Sequence, residues 1–270
     1  MTKVYTDMSS PSEIEKSITN ARRYLDYVLA GNGKMELPEI PSRCVISYTS
    51  DIIEIIKQTY PHQSVDLGCT NPTHIHFFFP HDDDNFAIAR GLHGAPMAAV
   101  LLEELIALGF EEFLVIGASG HPARAENPIL HVGDLLLTTD AFIFEGTSSH
   151  YLRGKTTVRP SKLVTEGLRK ILTKLNIDYK EGSVATTDAL YRETAQFIKL
   201  LIDKDILAID MEMSALFTVA QYHRKIIGGL LFITDLIREE GVWELGLLGN
   251  NFFTLQNKLI RIIKEFVTAK

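Results

Sequence analysis

Short apolar runs alternate with longer amphipathic segments from residue 43 to the end of this chain, and that alternation restricts the fold more than any other feature. Runs apolar on both faces, such as Cys44-Val45-Ile46 and Phe113-Leu114-Val115-Ile116, suit strands covered on both sides. Further strands are expected at 75–79, 86–89, 135–143, 183–187, 207–210 and 230–233. Helices are expected at 51 onward, 96–108 (strongly amphipathic), 160–175, 192–203, 213–222 and 251–268, with Ser50 capping the first. Strand-helix alternation of this kind predicts an α/β fold: a single-domain three-layer α/β/α sandwich on a central sheet. At 270 residues one core suffices, and no repeat or long linker divides the chain.

Ahead of this pattern, Ser10-Pro11-Ser12-Glu13 reads as a helix start with a capping serine, a first-turn proline and a capping-box glutamate. The helix should run to Leu29 and stop at Gly31-Asn32-Gly33, with an extended, proline-limited connector at 37–41. The organisation expected is therefore an N-terminal helical extension over 1–40 and the main domain over 41–270.

Composition matters here for what it excludes. With 27 basic against 34 acidic residues the net charge is -7, which disfavours a nucleic-acid partner or an anionic membrane surface. No stretch approaches the roughly 18 apolar residues of a membrane span, and the first 20 residues lack an apolar signal core. Cys44 and Cys69 form neither a disulfide framework nor a metal-ligand spacing and read as inert packing residues. A cytoplasmic protein without a metal site is expected. The run His81-Asp82-Asp83-Asp84 reads as a solvated turn, because three adjacent carboxylates cannot all face one ion.

Three glycine turns follow expected strands: Gly91 to Pro96, including His93 and Gly94; Gly117-Ala118-Ser119-Gly120; and Glu145 to His150. Such turns let backbone amides approach an anion or sugar at strand ends, although the dinucleotide and Walker spacings are absent. Two acidic junctions stand out. In Ile209-Asp210-Met211-Glu212-Met213 a buried strand passes directly into an apolar helix, and Glu212 there is either a solvated first-turn acid or an acceptor for hydrogen bonds from a vicinal diol. In Ile233-Thr234-Asp235 an aspartate leaves an apolar strand, where it either caps a helix or is desolvated, which would raise its pKa toward that of a general acid.

The segments TTDALYRET, AIDMEMSALFTVA and FITDLI, in that order, together with GLHGAPMAAVLLEELIALG, FLVIGASG and HVGDLLLTTDAFIFEGTSSHYL, resemble the nucleoside phosphorylase superfamily over residues 90–238. That resemblance implies a twisted, partly barrel-like sheet with the site at strand ends. It implies cleavage of a nucleoside N-glycosidic bond, purine favoured, with inorganic phosphate as co-substrate, no cofactor, and a homo-oligomer (dimer or hexamer). Met211 would pack on the ribose and Glu212 bind its hydroxyls; Leu190, Thr234 and Asp235 would meet the base, Asp235 as the catalytic acid. Gly94, Ala118, Ser119, Asp51 and Arg90 are candidates for the nucleophile side, and His150 for a further contact.

The sequence departs from the family on the phosphate side. The early phosphate loop reads Ile46-Ser47-Tyr48-Thr49-Ser50-Asp51, without a glycine, and Val115 stands where an arginine is common. No counterpart of the arginine lent by a neighbouring subunit occurs between Gln63 and Phe79. A hydrolytic nucleosidase, with Asp51 or Glu54 activating water, and a non-catalytic nucleoside binder are the alternatives. Trp243, after Arg238-Glu239-Glu240-Gly241, sits in a loop that could serve as a flap over the base pocket.

Overall fold

The computed structural model describes residues 17–31, 37–67, 73–80, 85–124, 126–246 and 250–269. In chain order its elements are α1 (Ala21–Gly31), β1 (Arg43–Ser47), α2 (Ser50–Thr59), β2 (His62–Leu67), β3 (Thr73–Phe78), β4 (Phe86–Arg90), α3 (Ala95–Leu108) and β5 (Glu112–Ala123). There follow β6 (Leu135–Phe144), β7 (Thr157–Val158), α4 (Lys162–Lys174), β8 (Lys180–Thr187), α5 (Ala195–Asp203), β9 (Ile206–Asp210), α6 (Met213–Tyr222), β10 (Ile226–Arg238), β11 (Trp243–Leu245) and α7 (Asn250–Thr268).

All strands join one mixed sheet in the order β11-β10-β6-β8-β9-β5-β1-β4-β3-β2, with β7 on β6. A further β10–β5 pairing closes β5, β10, β6, β8 and β9 into a ring, while β1, β4, β3 and β2 run on as an open wing. The partly barrel-like sheet is therefore present. Two long strands make it: β5 pairs with β10 along its whole length, with β1 along its first half, and meets β9 through Gly120 and Ile209. His121 reinforces that single bridge, its Nδ1 donating to the Leu207 carbonyl at 2.7 Å while Nε2 accepts from the Leu130 N–H. That tautomer is neutral, and burial lowers the ring's pKa accordingly.

Alternation along the strands sorts side chains into two cores. Val45, Ile88, Leu114, Ile116, Leu230 and Phe232 point to the layer of α2, α4 and α7. Cys44, Ile46, Phe113, Val115 and Leu231 point to the layer of α1, α3 and α6. Each such aliphatic or aromatic burial contributes about 1.5–3 kcal/mol, so the two faces together fix the register. Leu25 of α1 is 1% exposed and belongs to the same core as α3, so the N-terminal helix packs on the main domain. Burial pushes the Cys44 thiol far above its ordinary range, as an inert packing residue requires.

Several expectations are corrected. Residues 17–20 are not helical; α1 starts at Ala21 after Asn20, whose Oδ1 accepts from the Arg23 N–H at 2.9 Å. The expected start at Ser10-Pro11-Ser12-Glu13, the Asn32-Gly33 stop, Cys69 and the run 81–84 lie outside the described residues. Ser50 is the first residue of α2 rather than its cap, which falls on Thr49 with no side-chain bond. α3 is not strongly amphipathic: seven of its residues are buried because α1 and α6 cover it from outside. Gly117-Ala118-Ser119-Gly120 is no turn but the middle of β5, and β10 continues through Asp235 to Arg238. The helix expected from Arg192 starts at Ala195, because Thr194 caps it by accepting from the Phe197 N–H. Strands β2, β7 and β11 had no periodic signal; β2, at the sheet edge, buries Val65 while residues 62–64 and 66 are exposed.

Close approach of α4 to β10 depends on Gly228. A Cβ there would fall on Val164 Cγ1 and lie 3.0 Å from its Cβ, and Val164 is itself buried and β-branched. Gly228→Ala is expected to lower stability by about 1–3 kcal/mol, read as an earlier urea midpoint with an unchanged slope.

Candidate active site

The β9–α6 junction supplies the first half of the site. Asp210 is buried at the strand end and accepts from Thr186 Oγ1 (2.6 Å), the Met213 N–H (2.7 Å) and the Glu212 N–H (3.1 Å). It, and not Glu212, satisfies the open amides at the start of α6. Glu212 is thereby freed to turn outward. Its Oε1 accepts from the Gly94 N–H at 2.7 Å, at the start of α3, and lies 3.9 Å from His93 Nδ1. Glu212 is 8% exposed. Burial raises the pKa of both acids, with the Glu212 charge also acting on Asp210 and the backbone hydrogen bonds opposing the shift.

A bulge in β10 supplies the second half. Ile233 pairs with Ser119 and Asp235 with Gly120, leaving Thr234 as the extra residue. Two successive side chains are consequently delivered to one cavity, which regular alternation forbids. The Thr234 hydroxyl lies against Asp235 Oδ1 and 3.1 Å from the Ser119 carbonyl. Residues 238–243 form a hydrogen-bonded hairpin turn into β11, and Trp243 Nε1 donates to Asp235 Oδ2 at 2.7 Å.

These halves enclose a cavity of about 250 Å³. Its floor carries Ala118, Ser119 and Gly120 of β5; Met211, Glu212, Thr234 and Asp235 line its walls, with Tyr48 and His93 at one end and Leu190, Glu193 and Trp243 at the other. Leu190 is 41% exposed, on a 3-10 turn at Leu190–Arg192. Tyr48 takes the space of the early loop. Its ring packs on Gly91, where a Cβ would come within 2.7 Å, and its buried hydroxyl has no hydrogen-bond partner among the described residues. Burial first, then the charges of Glu212 and Asp210, drives that phenol's pKa well up.

Among the described residues, four carboxyls line the cavity (Glu193, Asp210, Glu212, Asp235) and no lysine or arginine does. The cations gather elsewhere: Lys155, Arg159, Arg224 and Lys225 line a larger cavity of about 540 Å³, which also borders the opposite end of β10 at Ile227.

The structure thus brings together Met211, Glu212, Leu190, Thr234, Asp235, Ala118 and Ser119, with Gly94 hydrogen-bonded to Glu212 at the cavity edge. It does not bring in Asp51, Arg90 or His150. Asp51 accepts from Gln256 Nε2 of α7 at 3.1 Å, Glu54 pairs with Lys57, and Arg90 is exposed at the end of β4. His150 is exposed on a turn braced by Glu145, which accepts from the Thr147 and Ser148 amides and from Ser214 Oγ. Among the polar lining residues, Tyr48, Asp210 and Glu193 were not nominated as site residues by sequence reasoning. The split between the 3-10 turn and α5, signalled by the Thr194 cap, was the available clue to Glu193. Among the described residues no cluster of three or more His, Cys, Asp or Glu could hold a metal ion, and no helix is long and apolar enough to cross a membrane.

A family model described as the phosphorylase superfamily matches residues 44–268. The chain belongs to that superfamily. Within it, the chain is 29% identical to the uridine phosphorylase of Thermococcus kodakarensis over 143 residues, which are 48% of this chain and 50% of that protein. It is also 29% identical over 144 residues to the guanosine phosphorylase of Halorubrum lacusprofundi, covering 52% of this chain and 57% of the relative. The match therefore spans about half the length of these curated relatives. Among solved structures, the purine nucleoside phosphorylase of Toxoplasma gondii in complex with immucillin-H aligns with a TM-score of 0.72 at 19% identity, over 85% of this chain and 91% of that one. A uridine phosphorylase from Vibrio fischeri aligns at 0.66 and 20%, over 85% and 90%. At that identity the structural likeness speaks for the superfamily fold.

Proposed function

We propose that this chain cleaves the N-glycosidic bond of a nucleoside, purine favoured, with inorganic phosphate as acceptor, releasing the free base and ribose 1-phosphate. The observation that carries this reading is the meeting, in one cavity, of the Met211–Glu212 junction and the Thr234–Asp235 bulge. Breaking the bond builds positive charge on the sugar and negative charge on the base, and an acidic site answers the first while a proton donor answers the second. Glu212, with one oxygen held by Gly94, offers the other to the ribose hydroxyls while Met211 packs beside the ring. Leu190 meets the base face, and Thr234 and Asp235 its edge. On the nucleophile side stand Ala118, Ser119 and His93. Membership of a superfamily whose matched relatives are named uridine and guanosine phosphorylases supports the choice of phosphate. A homo-oligomer acting in the cytoplasm, with no cofactor, accompanies this reading.

Hydrolysis is the second reading, favoured by one specific observation. The cavity is lined by carboxyls and also by Tyr48, with no arginine or lysine among the described residues to hold a phosphate dianion by charge-assisted bonds. Neutral water meets no such repulsion. Base release from adenosine, inosine and uridine, measured with and without phosphate, separates the readings. Release that requires phosphate and yields ribose 1-phosphate is the expected result. Release at the same rate in phosphate-free buffer would establish hydrolysis, binding without turnover would leave a nucleoside-binding protein, and faster release of uracil than of a purine would overturn the base preference.

A further inference from the structure

Two carboxyls stand at the base end of the cavity, and their surroundings differ. Asp235 has both oxygens engaged: the Thr234 hydroxyl lies against Oδ1 and the Trp243 indole donates to Oδ2 at 2.7 Å. A proton on Oδ2 would set donor against donor at Trp243. Glu193 occupies the break between the 3-10 turn and α5, at φ -72 and ψ 80, half-buried and without a hydrogen-bond partner among the described residues. It lines this cavity and also an adjoining cleft of about 220 Å³, which shares Leu190, Ile237 and Trp243 with it. Among the described residues, the charged and titratable groups lining the same two cavities are Asp235 and Arg238 of β10, Tyr191 on its own turn, and Tyr48, His93, Asp210 and Glu212. Burial, then the negative charge of Asp235, raises its pKa to about 7. Asp235, with both oxygens beside donors, is set up to accept, whereas the unpartnered Glu193 carboxyl can carry a proton into the cavity.

We infer that Glu193 is the acid that protonates the departing base, with Asp235 as the acceptor that holds the base edge against it. The inference rests on the N-glycosidic cleavage proposed above. In the step, the bond from C1' to the base nitrogen breaks with its electron pair leaving on the base, and the Glu193 proton moves to a base nitrogen. A phosphate oxygen forms the new bond to C1', and Glu193 regains a proton from water.

The test compares the unmodified protein with Glu193→Gln on a nucleoside and on 4-nitrophenyl riboside, whose leaving group departs without a proton. The expected result is a loss of about 10²-fold in kcat on the nucleoside, with KM changed little and the aryl riboside rate kept. The unmodified protein should lose nucleoside turnover as pH rises through about 7, and the variant should lack that limb. Glu193→Asp should restore part of the rate together with the limb. Full nucleoside turnover by Glu193→Gln, or an equal loss on both substrates, would overturn the donor role and leave the reaction standing. An unmodified protein inert on both substrates would overturn the reaction and the donor role together.

Discussion

Asp235→Asn is expected to lower kcat/KM for nucleoside cleavage by about 10²-fold and to shift the alkaline limb of the pH profile to lower pH. Two physical changes produce the loss. An amide keeps one acceptor oxygen, so either Trp243 or Thr234 faces an NH2 group in place of a carboxylate oxygen. The substitution also removes the negative charge that helps hold up the Glu193 pKa. The sign follows directly. With that charge gone the Glu193 carboxyl ionises at lower pH, and the protonated form needed for donation is lost earlier as pH rises. Rate profiles of the two proteins between pH 5 and 9, with circular dichroism to show that the fold is kept, decide the matter. An unchanged rate would remove Asp235 from the chemistry. A reduced rate with an unmoved limb would separate it from Glu193.

Asp210→Ala should cost about 2–3 kcal/mol of stability and most of the activity. Its carboxyl accepts from two amides at the start of α6 and from Thr186, all of them buried, and alanine leaves these donors without an acceptor. Because burial raises the folded pKa of Asp210, its stabilising contribution is fully present below the ordinary carboxyl range and declines as pH rises above it. The gap between the two proteins in urea unfolding is therefore widest in acid and narrows toward neutrality. A gap that widened with pH would mean that the ionised form is the stabilising one. Activity falls with stability here because Met211 and Glu212 are the next two residues and take their direction from the same cap.

Much of the fold was legible because burial leaves a local mark. A strand covered on both faces is apolar throughout, as in Cys44-Val45-Ile46, and that pattern survives without knowledge of the neighbours. Edge strands leave no such mark, so β2, exposed at residues 62–64 and 66, was missed. Glycine misled in the opposite direction. Gly117 and Gly120 suggested a turn, yet they lie in a strand where Gly120 brings β5 close to Ile237 and Asp235. The candidate site divides in the same way. Glu212 and Asp235 were legible because each follows an apolar strand inside a family motif. Tyr48 and Glu193 were not, since one is a loop residue whose ring packs on Gly91 and the other a glutamate in an otherwise exposed turn.

By itself the sequence determined a layered α/β domain, the superfamily motifs and the shortage of arginines where phosphate would sit. Each of these is written in residue type and local period. Tertiary structure decided that β5 and β10 close a ring, that a bulge turns Thr234 and Asp235 into one cavity, and that Asp210 caps α6 so that Glu212 points at Gly94. It also decided that Glu193, which has no hydrogen-bond partner among the described residues, lines the same cavity. The reason is physical: strand pairing, desolvation and the field of one carboxylate on another depend on distances between residues far apart in the chain. Glu193 and Asp235, 42 positions apart, acquire their different surroundings only when the fold brings them to the same cavity.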